Sequence, residues 1–264
     1  MKRQLLTARQ STKLSIAVGC CVVAAGLLIG SCAGTRRPAL SHRGECSVRL
    51  AAAVKKYNAG KYSSAKNIID DAKKLCPGSD AMDTGQYYLA MSLLQMKFYP
   101  EAKLEFSRLV QDYSRSPYFE EAQFRIGYCA LKAARSVERD QADTREAQRL
   151  LTDFLENYPS SVFVDSVQKY LKIATDKLAE KEFSSARFYQ KIGEKDAAAI
   201  YYKSFIHDYP ASGYAAQARL EMGRLLIELN RKAEAREVLD ELVAQEKSGN
   251  IAHKARELLD RCKE

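Results

Sequence analysis

The residues of this chain that could carry chemistry include three histidines, a few acidic pairs and seven cysteines. His42, His207 and His253 lie far apart in sequence, so no two imidazoles stand at helical spacing to hold a metal ion. Adjacent carboxylates such as Asp70 and Asp71 point in different directions on a helix and cannot act as an acid–base pair. The thirteen glycines are scattered and form no phosphate-binding loop. The sequence therefore predicts no enzyme, no metal site and no cofactor.

Cys32 lies at the end of an N-terminal apolar segment. Residues 14–30 are mostly apolar, a length of about 17 that is typical of a signal peptide and marginal for a membrane span. The preceding residues are basic and include no acidic side chain: Lys2, Arg3, Arg9 and Lys13. The small residues before Cys32 resemble the lipobox of bacterial lipoproteins. That resemblance implies cleavage before Cys32 and acylation of its thiol, the alternative being an uncleaved anchor helix.

We therefore predict a signal peptide at residues 1–31 and a flexible tether at residues 32–44. Two or more acyl chains hold a protein stably on a membrane. No aspartate follows Cys32, and by resemblance to bacterial sorting rules this favours the outer membrane. The predicted location is the periplasmic face of the outer membrane, with the lipid as the anchor.

Cys46 and Cys76 form a candidate disulfide. The turn at Gly60 and Lys61 lies midway between them, so an antiparallel helix pair folded about that turn brings the two cysteines close. The periplasm is oxidising and permits the bond. The alternative is two free thiols.

The formal net charge of +9 overstates the charge of the exported chain. The signal segment holds four of the 42 Lys and Arg residues and none of the 33 acidic residues, which leaves +5. Such a small excess, spread among acidic residues, is typical of a solvated surface. We expect no nucleic-acid partner.

Five alanines mark a repeat. Each begins an apolar stripe at i, i+4 and usually i+8, which is one face of an α-helix. The alanines are Ala65, Ala102, Ala147, Ala198 and Ala235, followed four residues later by Ile69, Phe106, Leu151, Tyr202 and Leu239. The intervals between the alanines are 37, 45, 51 and 37 residues. The repeat is thus interrupted twice.

Helix pairs of this length, with small residues at packing positions, resemble the tetratricopeptide repeat. The predicted fold is all-α, a tetratricopeptide-repeat solenoid of about five helix pairs at residues 45–264. The expected repeats cover residues 45–76, 80–113, 117–158, 163–209 and 213–246, and a capping helix covers residues 250–262.

The two long intervals have separate explanations. The first adds eight residues, which are polar and predict a loop between the helices of the third repeat, near residues 135–143. Asp143 and Glu146 have the spacing of a capping box for the helix that follows. The second adds 14 residues where no Gly or Pro occurs from 160 to 192, and it predicts one helix of about 30 residues. The alternative is a break near Glu182.

A solenoid of this kind binds protein segments in a groove lined by first-helix side chains. The candidate groove residues are Tyr87, Phe124, Arg125 and Tyr128. For each of them, packing against the neighbouring helix is the alternative.

Three segments, residues 139–147, 178–193 and 197–210, resemble the BamD family of tetratricopeptide lipoproteins, which belong to the machinery that assembles outer-membrane β-barrels. The resemblance covers roughly residues 57–226. It implies that the C-terminal repeats dock the periplasmic POTRA domains of the BamA-like barrel insertase. It also implies that the N-terminal repeats receive extended signals of nascent outer-membrane proteins, without covalent chemistry.

Two alternatives remain at this point. Another periplasmic repeat lipoprotein, such as a cell-division coordinator or a protease adaptor, would share the lipobox and the repeats but would lack the segment at 139–144. A lytic transglycosylase on a helical scaffold would need an added catalytic domain, and the repeats occupy nearly the whole exported chain.

Overall fold

The computed structural model describes residues 42–78, 81–134, 136–137 and 139–263. Every regular element in that part of the chain is an α-helix, and there are eleven. They are α1 (His42–Asn58), α2 (Tyr62–Leu75), α3 (Met82–Gln95), α4 (Tyr99–Asp112), α5 (Phe119–Ala133), α6 (Ala142–Asn157), α7 (Val164–Lys191), α8 (Lys195–Asp208), α9 (Ala215–Glu228), α10 (Lys232–Gln245) and α11 (Asn250–Arg261).

The helices pack in chain order. Each helix contacts the one before it and the one after it, and α11 lies against both α9 and α10. The fold is a solenoid of five helix pairs followed by a terminal helix, which confirms the all-α tetratricopeptide class predicted from the alanine spacing.

The repeat alanines lie in the buried contacts between helices. All five are fully buried, and so are the five larger residues that follow them by four positions. On the first helix of the third and fifth pairs, a glycine lies against the larger residue: Gly127 against Leu151 and Gly223 against Leu239. A Cβ atom placed on Gly223 would lie 2.6 Å from Cδ2 of Leu239, so only glycine fits against this leucine without a shift.

Helix α7 is a single helix of 28 residues, about 42 Å long, with no break at Glu182. Its first half packs on α5 and α6, and its second half packs on α8. Lys177 in the middle of α7 reaches back to the end of α5, where its Nζ donates a hydrogen bond to the carbonyl of Ala134 at 3.2 Å. Burial lowers the pKa of Lys177. The helix therefore joins the third repeat to the fourth.

The polar insertion forms the connection between α5 and α6, and its capping differs from the prediction. Helix α6 begins at Ala142, so Asp143 lies inside the helix and its capping box with Glu146 is wrong. The residue at the N-cap is Gln141, and Oδ1 of Asp140 just before it accepts a hydrogen bond from the backbone N–H of Ala142 at 3.2 Å. Of the residues assigned to this loop, Arg135 and Glu138 lie outside the described residues.

Three connections between helix pairs share one local structure. In each, a serine hydroxyl accepts a hydrogen bond from the backbone N–H two residues later, at 3.1–3.3 Å, which is a turn motif typical of serine. The serines are Ser116, Ser161 and Ser212, and the donors are Tyr118, Phe163 and Tyr214. The turn fixes the direction of the aromatic side chain that follows.

Each of those aromatic rings stacks on a ring of the preceding first helix. Tyr118 stacks on Tyr87, Phe163 on Phe124 and Tyr214 on Phe183, with centroid distances of 4.1, 5.6 and 4.9 Å. Offset stacking of this kind adds stability beyond the burial of the rings. Consecutive repeats are thus joined by the same contact three times.

Candidate protein-binding surfaces

Tyr87, Glu121 and Arg125 form a hydrogen-bonded cluster between α3 and α5. The hydroxyl of Tyr87 donates to Oε2 of Glu121 at 2.9 Å. Nε and Nη2 of Arg125 donate to the other carboxylate oxygen at 3.0 and 2.8 Å. Burial, reinforced by the Glu121 carboxylate, raises the pKa of Tyr87. These hydrogen bonds hold the Arg125 side chain in one position at the predicted groove. The Glu121 carboxylate neutralises the charge of the guanidinium group.

The four predicted groove residues have two different environments. Tyr87 and Phe124 are buried, with exposures of 8% and 2%. Their rings therefore pack beneath the surface of the groove and are not available for contact with a ligand. Arg125 and Tyr128 are partly exposed. The guanidinium of Arg125 lies over the ring of Phe124, 5.0 Å from its centroid, and the ring of Tyr128 packs edge-on against Tyr170 at 4.8 Å.

A second group of aromatic side chains at this end of the chain was missed by the sequence reasoning. Tyr57 lies 5.3 Å from Tyr62 and 5.1 Å from Tyr88, measured between ring centroids, and all three are partly exposed. Burial raises the pKa of Tyr57 and of Tyr88. We call Tyr57, Tyr62, Tyr88 and Arg125 the N-terminal aromatic surface. The available signal was the pair of tyrosines that flanks the turn at Gly60.

Gln141, which belongs to the insertion, organises the loop before α6. Its side chain is 2% exposed, and its Nε2 donates to the carbonyls of Ser136 and Arg139 at 2.8 and 3.0 Å. Its Oε1 accepts a hydrogen bond from the hydroxyl of Thr144 at 2.7 Å. The buried side-chain amide therefore donates to two backbone carbonyls of the loop, and the Thr144 hydroxyl donates to the amide oxygen. These hydrogen bonds explain the glutamine and the threonine in this segment.

The hairpin of α7 and α8 carries an exposed apolar surface. Phe188, Ile192 and Ile200 have exposures of 57%, 53% and 68%. Tyr201 lies next to Ile200, and its ring stacks on Tyr189 at 4.6 Å. We call Phe188, Ile192, Ile200 and Tyr201 the C-terminal apolar patch. Large apolar side chains that remain in water are candidates for contact with another protein.

The insertion loop reaches this patch. Val137 of the loop lines a cleft of about 430 Å³ together with Phe188, Tyr189 and Tyr201. The two interruptions of the repeat, the polar loop and the long helix, therefore meet at one surface. Sequence reasoning identified both interruptions but not their contact.

The structure brings Cys46 and Cys76 together. Their sulfur atoms are bonded, their Cα atoms lie 6.1 Å apart, and both residues are buried. Cys76 stands in the first repeat, relative to Ala65, at the position that a tyrosine occupies in each of the next three repeats. Its φ of −131° matches that of those tyrosines, Tyr113, Tyr158 and Tyr209. The bond therefore takes the place of a tyrosine packing contact in the first repeat.

The other cysteines differ in position. Cys129 is buried in α5, and burial raises the pKa of its thiol to about 12. Cys262 is buried next to the end of α11. Cys32, the signal peptide at 1–31 and residues 32–41 of the predicted tether lie outside the described residues. Residues 42–44, which were predicted as tether, belong to α1 (His42–Asn58). None of the described helices is long and apolar enough to cross a membrane, and no three metal-ligating side chains are grouped among the described residues.

These features define an all-helical repeat scaffold of the tetratricopeptide class, with aromatic and apolar side chains exposed at its surface. The chain belongs to the YfiO family of outer membrane lipoproteins, whose model matches residues 47–241. This confirms the family resemblance found in the sequence.

Two relatives that carry the name BamD are similar to this chain in sequence. The chain is 25% identical over 224 residues to the outer membrane protein assembly factor BamD of Caulobacter vibrioides, covering 83% of this chain and 72% of the relative. It is 28% identical over 201 residues to a protein of Aquifex aeolicus provisionally named BamD, covering 74% of this chain and 64% of that protein.

Solved structures with similar helices are tetratricopeptide proteins. TTC0263 of Thermus thermophilus is 18% identical, covers 81% of this chain and 98% of its own, and has a TM-score of 0.35. The TPR2AB domain of yeast Sti1 is 15% identical, covers 83% and 99%, and has a TM-score of 0.41.

Proposed function

We propose that this protein is a periplasmic scaffold of the outer-membrane β-barrel assembly machinery, anchored to the membrane by lipid on Cys32. In this role it binds the barrel insertase with its C-terminal repeats and nascent outer-membrane proteins with its N-terminal repeats. The protein binds and positions these partners, and it catalyses no covalent step. The observation that carries the proposal is helix α7, which is shared by the third and fourth repeats and joins the two halves of the scaffold.

Family membership supports the cellular role. The relatives named BamD are outer membrane protein assembly factors, and the family is one of outer membrane lipoproteins. Acylation of Cys32 would hold the chain at the membrane, and a tether before α1, at residues 32–41, would let the helices reach partners in the periplasm.

The N-terminal aromatic surface suits an extended chain segment. Tyrosine rings offer large apolar contact with little loss of side-chain entropy, and their hydroxyl groups can bond to a peptide backbone. Tyr57 contacts both Tyr62 and Tyr88, and all three remain partly exposed. Nascent barrel strands, which alternate apolar and polar side chains, have the matching chemistry.

The C-terminal apolar patch suits a folded partner. Its three most exposed members, Phe188, Ile192 and Ile200, leave more than half of each side chain in water. Burial of such side chains is the main driving force of protein association, at about 25 cal/mol per Å² of apolar surface. We assign this patch to the POTRA domains of the insertase.

Affinity capture tests the proposal. The tagged, lipidated protein is purified from membranes, and the copurifying proteins are identified by mass spectrometry. A β-barrel insertase should copurify, and depletion of the protein should lower the level of outer-membrane porins. The proposal fails if no insertase copurifies or if porin levels stay unchanged.

Cys32→Ala tests the anchor separately. The variant should leave the membrane fraction and appear in the soluble periplasmic fraction. If it remains with the membrane, the N-terminal segment is an uncleaved helix. Capture of the insertase by this variant in detergent should be unchanged, because the anchor does not form the docking surface.

A further inference from the structure

A cleft of about 740 Å³ lies between the second half of α7 and α9, and it shares only Phe188 with the C-terminal apolar patch. Its floor is a chain of hydrogen bonds. The hydroxyl of Tyr202 donates to Oε1 of Gln190 at 2.7 Å, and Nε2 of Gln190 donates to Glu221 at 3.1 Å. Gln217 and Arg224 donate to the same carboxylate at 2.7 and 3.2 Å. The floor is therefore fixed before any ligand arrives.

The rim of the cleft is positively charged. Arg187 and Lys191 line it from α7, and both are exposed. Neither has an ion-pair partner among the described residues, whereas the single acidic residue of the cleft, Glu221, is paired with Arg224. The two free cations stand one helical turn apart, roughly 6 Å between Cβ atoms.

The cleft is open because of one small side chain. Ser184 holds the same position relative to Ala198 as Tyr88 holds relative to Ala102. In the second repeat this position carries a tyrosine that belongs to the N-terminal aromatic surface. In the fourth repeat the serine leaves the space between α7 and α9 unfilled.

We propose that this cleft binds an extended, acidic segment of a partner protein. In an extended strand, side chains two residues apart lie on the same face with a separation of roughly 6.6 Å, which matches the spacing of Arg187 and Lys191. Carboxylates at alternate positions would each meet one free cation. The hydrogen-bonded floor lies ready beneath them to contact the peptide backbone.

Two other occupants fit less well. The chain's own tether contains Arg36 and Arg37, Arg43 follows at the start of α1, and no acidic residue precedes Glu45, so this segment would be repelled. An anionic lipid headgroup would meet the carboxylate of Glu221 in the floor, whereas a peptide can donate its backbone N–H groups to that oxygen pair.

The test uses the full-length acylated chain in detergent and a fluorescein-labelled decapeptide of alternating glutamate and threonine. Fluorescence anisotropy should show binding that weakens as salt rises. A matched peptide with glutamine in place of glutamate should bind at least tenfold more weakly. Equal binding of the two peptides would overturn the proposal, and so would binding of phosphatidylglycerol vesicles with no binding of the acidic peptide.

Three variants locate the site. Arg187→Gln with Lys191→Gln should weaken the acidic peptide at least tenfold. Ser184→Tyr fills the cleft without changing its charge and should also weaken it. The control is Arg236→Gln with Lys247→Gln, which removes two exposed cations outside the cleft and should change affinity less than twofold.

Two outcomes of these measurements would contradict binding in the cleft. If the control weakens binding as much as the cleft pair, the attraction is general. If Ser184→Tyr has no effect while its circular dichroism spectrum is unchanged, the peptide binds elsewhere. Either outcome overturns the proposal, and neither affects the assignment of the C-terminal apolar patch.

Discussion

The ring of Tyr118 stacks on the ring of Tyr87 with 4.1 Å between centroids and 12° between planes. Tyr118 belongs to the connection before α5, whereas Tyr87 is buried in α3. The contact thus joins a loop to the repeat that precedes it. The same relationship recurs between Phe163 and Phe124, so the loops take part in holding neighbouring repeats together.

Phe163→Ala removes one of these stacks and should lower the free energy of unfolding by about 2–3 kcal/mol. The matched control is the adjacent residue, Val162→Ala, which is 89% exposed and should change stability by less than about 0.5 kcal/mol. Urea unfolding followed by circular dichroism at 222 nm measures both. Equal effects of the two variants would contradict a stabilising role for the stack.

Gly223→Ala should destabilise the last helix pair by about 1–3 kcal/mol, because overpacking forces neighbours to shift. The new Cβ would lie 2.6 Å from both Cγ and Cδ2 of Leu239, well inside van der Waals contact. Gly213→Ala is the control, since nothing lies within 4 Å of the position of its Cβ. Thermal unfolding should show a lower midpoint for the first variant only. An unchanged midpoint for Gly223→Ala would mean that the helices are not in close contact there.

Replacing both Cys46 and Cys76 with alanine should lower the free energy of unfolding by about 2–4 kcal/mol, since the bond limits the unfolded chain across a separation of 30 residues. In the processed, acylated protein, alkylation under denaturing conditions should label two thiols without reductant and four after reduction. Four labelled thiols without reductant would show that the cysteines are free.

Cys129 gives a prediction on pH. Burial raises its pKa to about 12, whereas an unfolded thiol has a pKa of about 8.5. The raised pKa means that stability is fully present below the unfolded value and is lost as pH rises toward the folded value. Between about pH 8.5 and 10, before unfolded tyrosines ionise, stability should therefore fall. Cys129→Ala should be less stable at neutral pH but should show a flatter pH dependence in that window. An identical slope would contradict the assignment.

Ile200→Glu should disrupt docking of the insertase, because a charge would be buried in an apolar interface. Capture of the insertase from membranes should fall at least tenfold, while the helical circular dichroism spectrum stays unchanged. Val162→Glu places the same charge on another exposed aliphatic residue and serves as the control. If both variants capture the insertase normally, the patch is not its docking surface.

The sequence predicted the local features of this fold but not the contacts between segments that are distant along the chain. The alanine spacing predicted the second helix of all five pairs, because the apolar side chains that one helix buries recur at a regular spacing in its own sequence. The absence of Gly and Pro predicted the uninterrupted α7. The capping box at Asp143 was wrong, because the start of α6 depends on Asp140 and on a loop organised by the buried Gln141.

By itself, then, the sequence determined the repeat, its two interruptions, the candidate anchor at Cys32 and the family. These follow from periodicity and short motifs, which depend only on neighbours close along the chain. Only the tertiary structure decided that Tyr87 and Phe124 are buried while Phe188 and Ile200 remain in water. Exposure is set by helices that arrive from distant parts of the chain, and no pattern along one helix records which of its faces another repeat will cover.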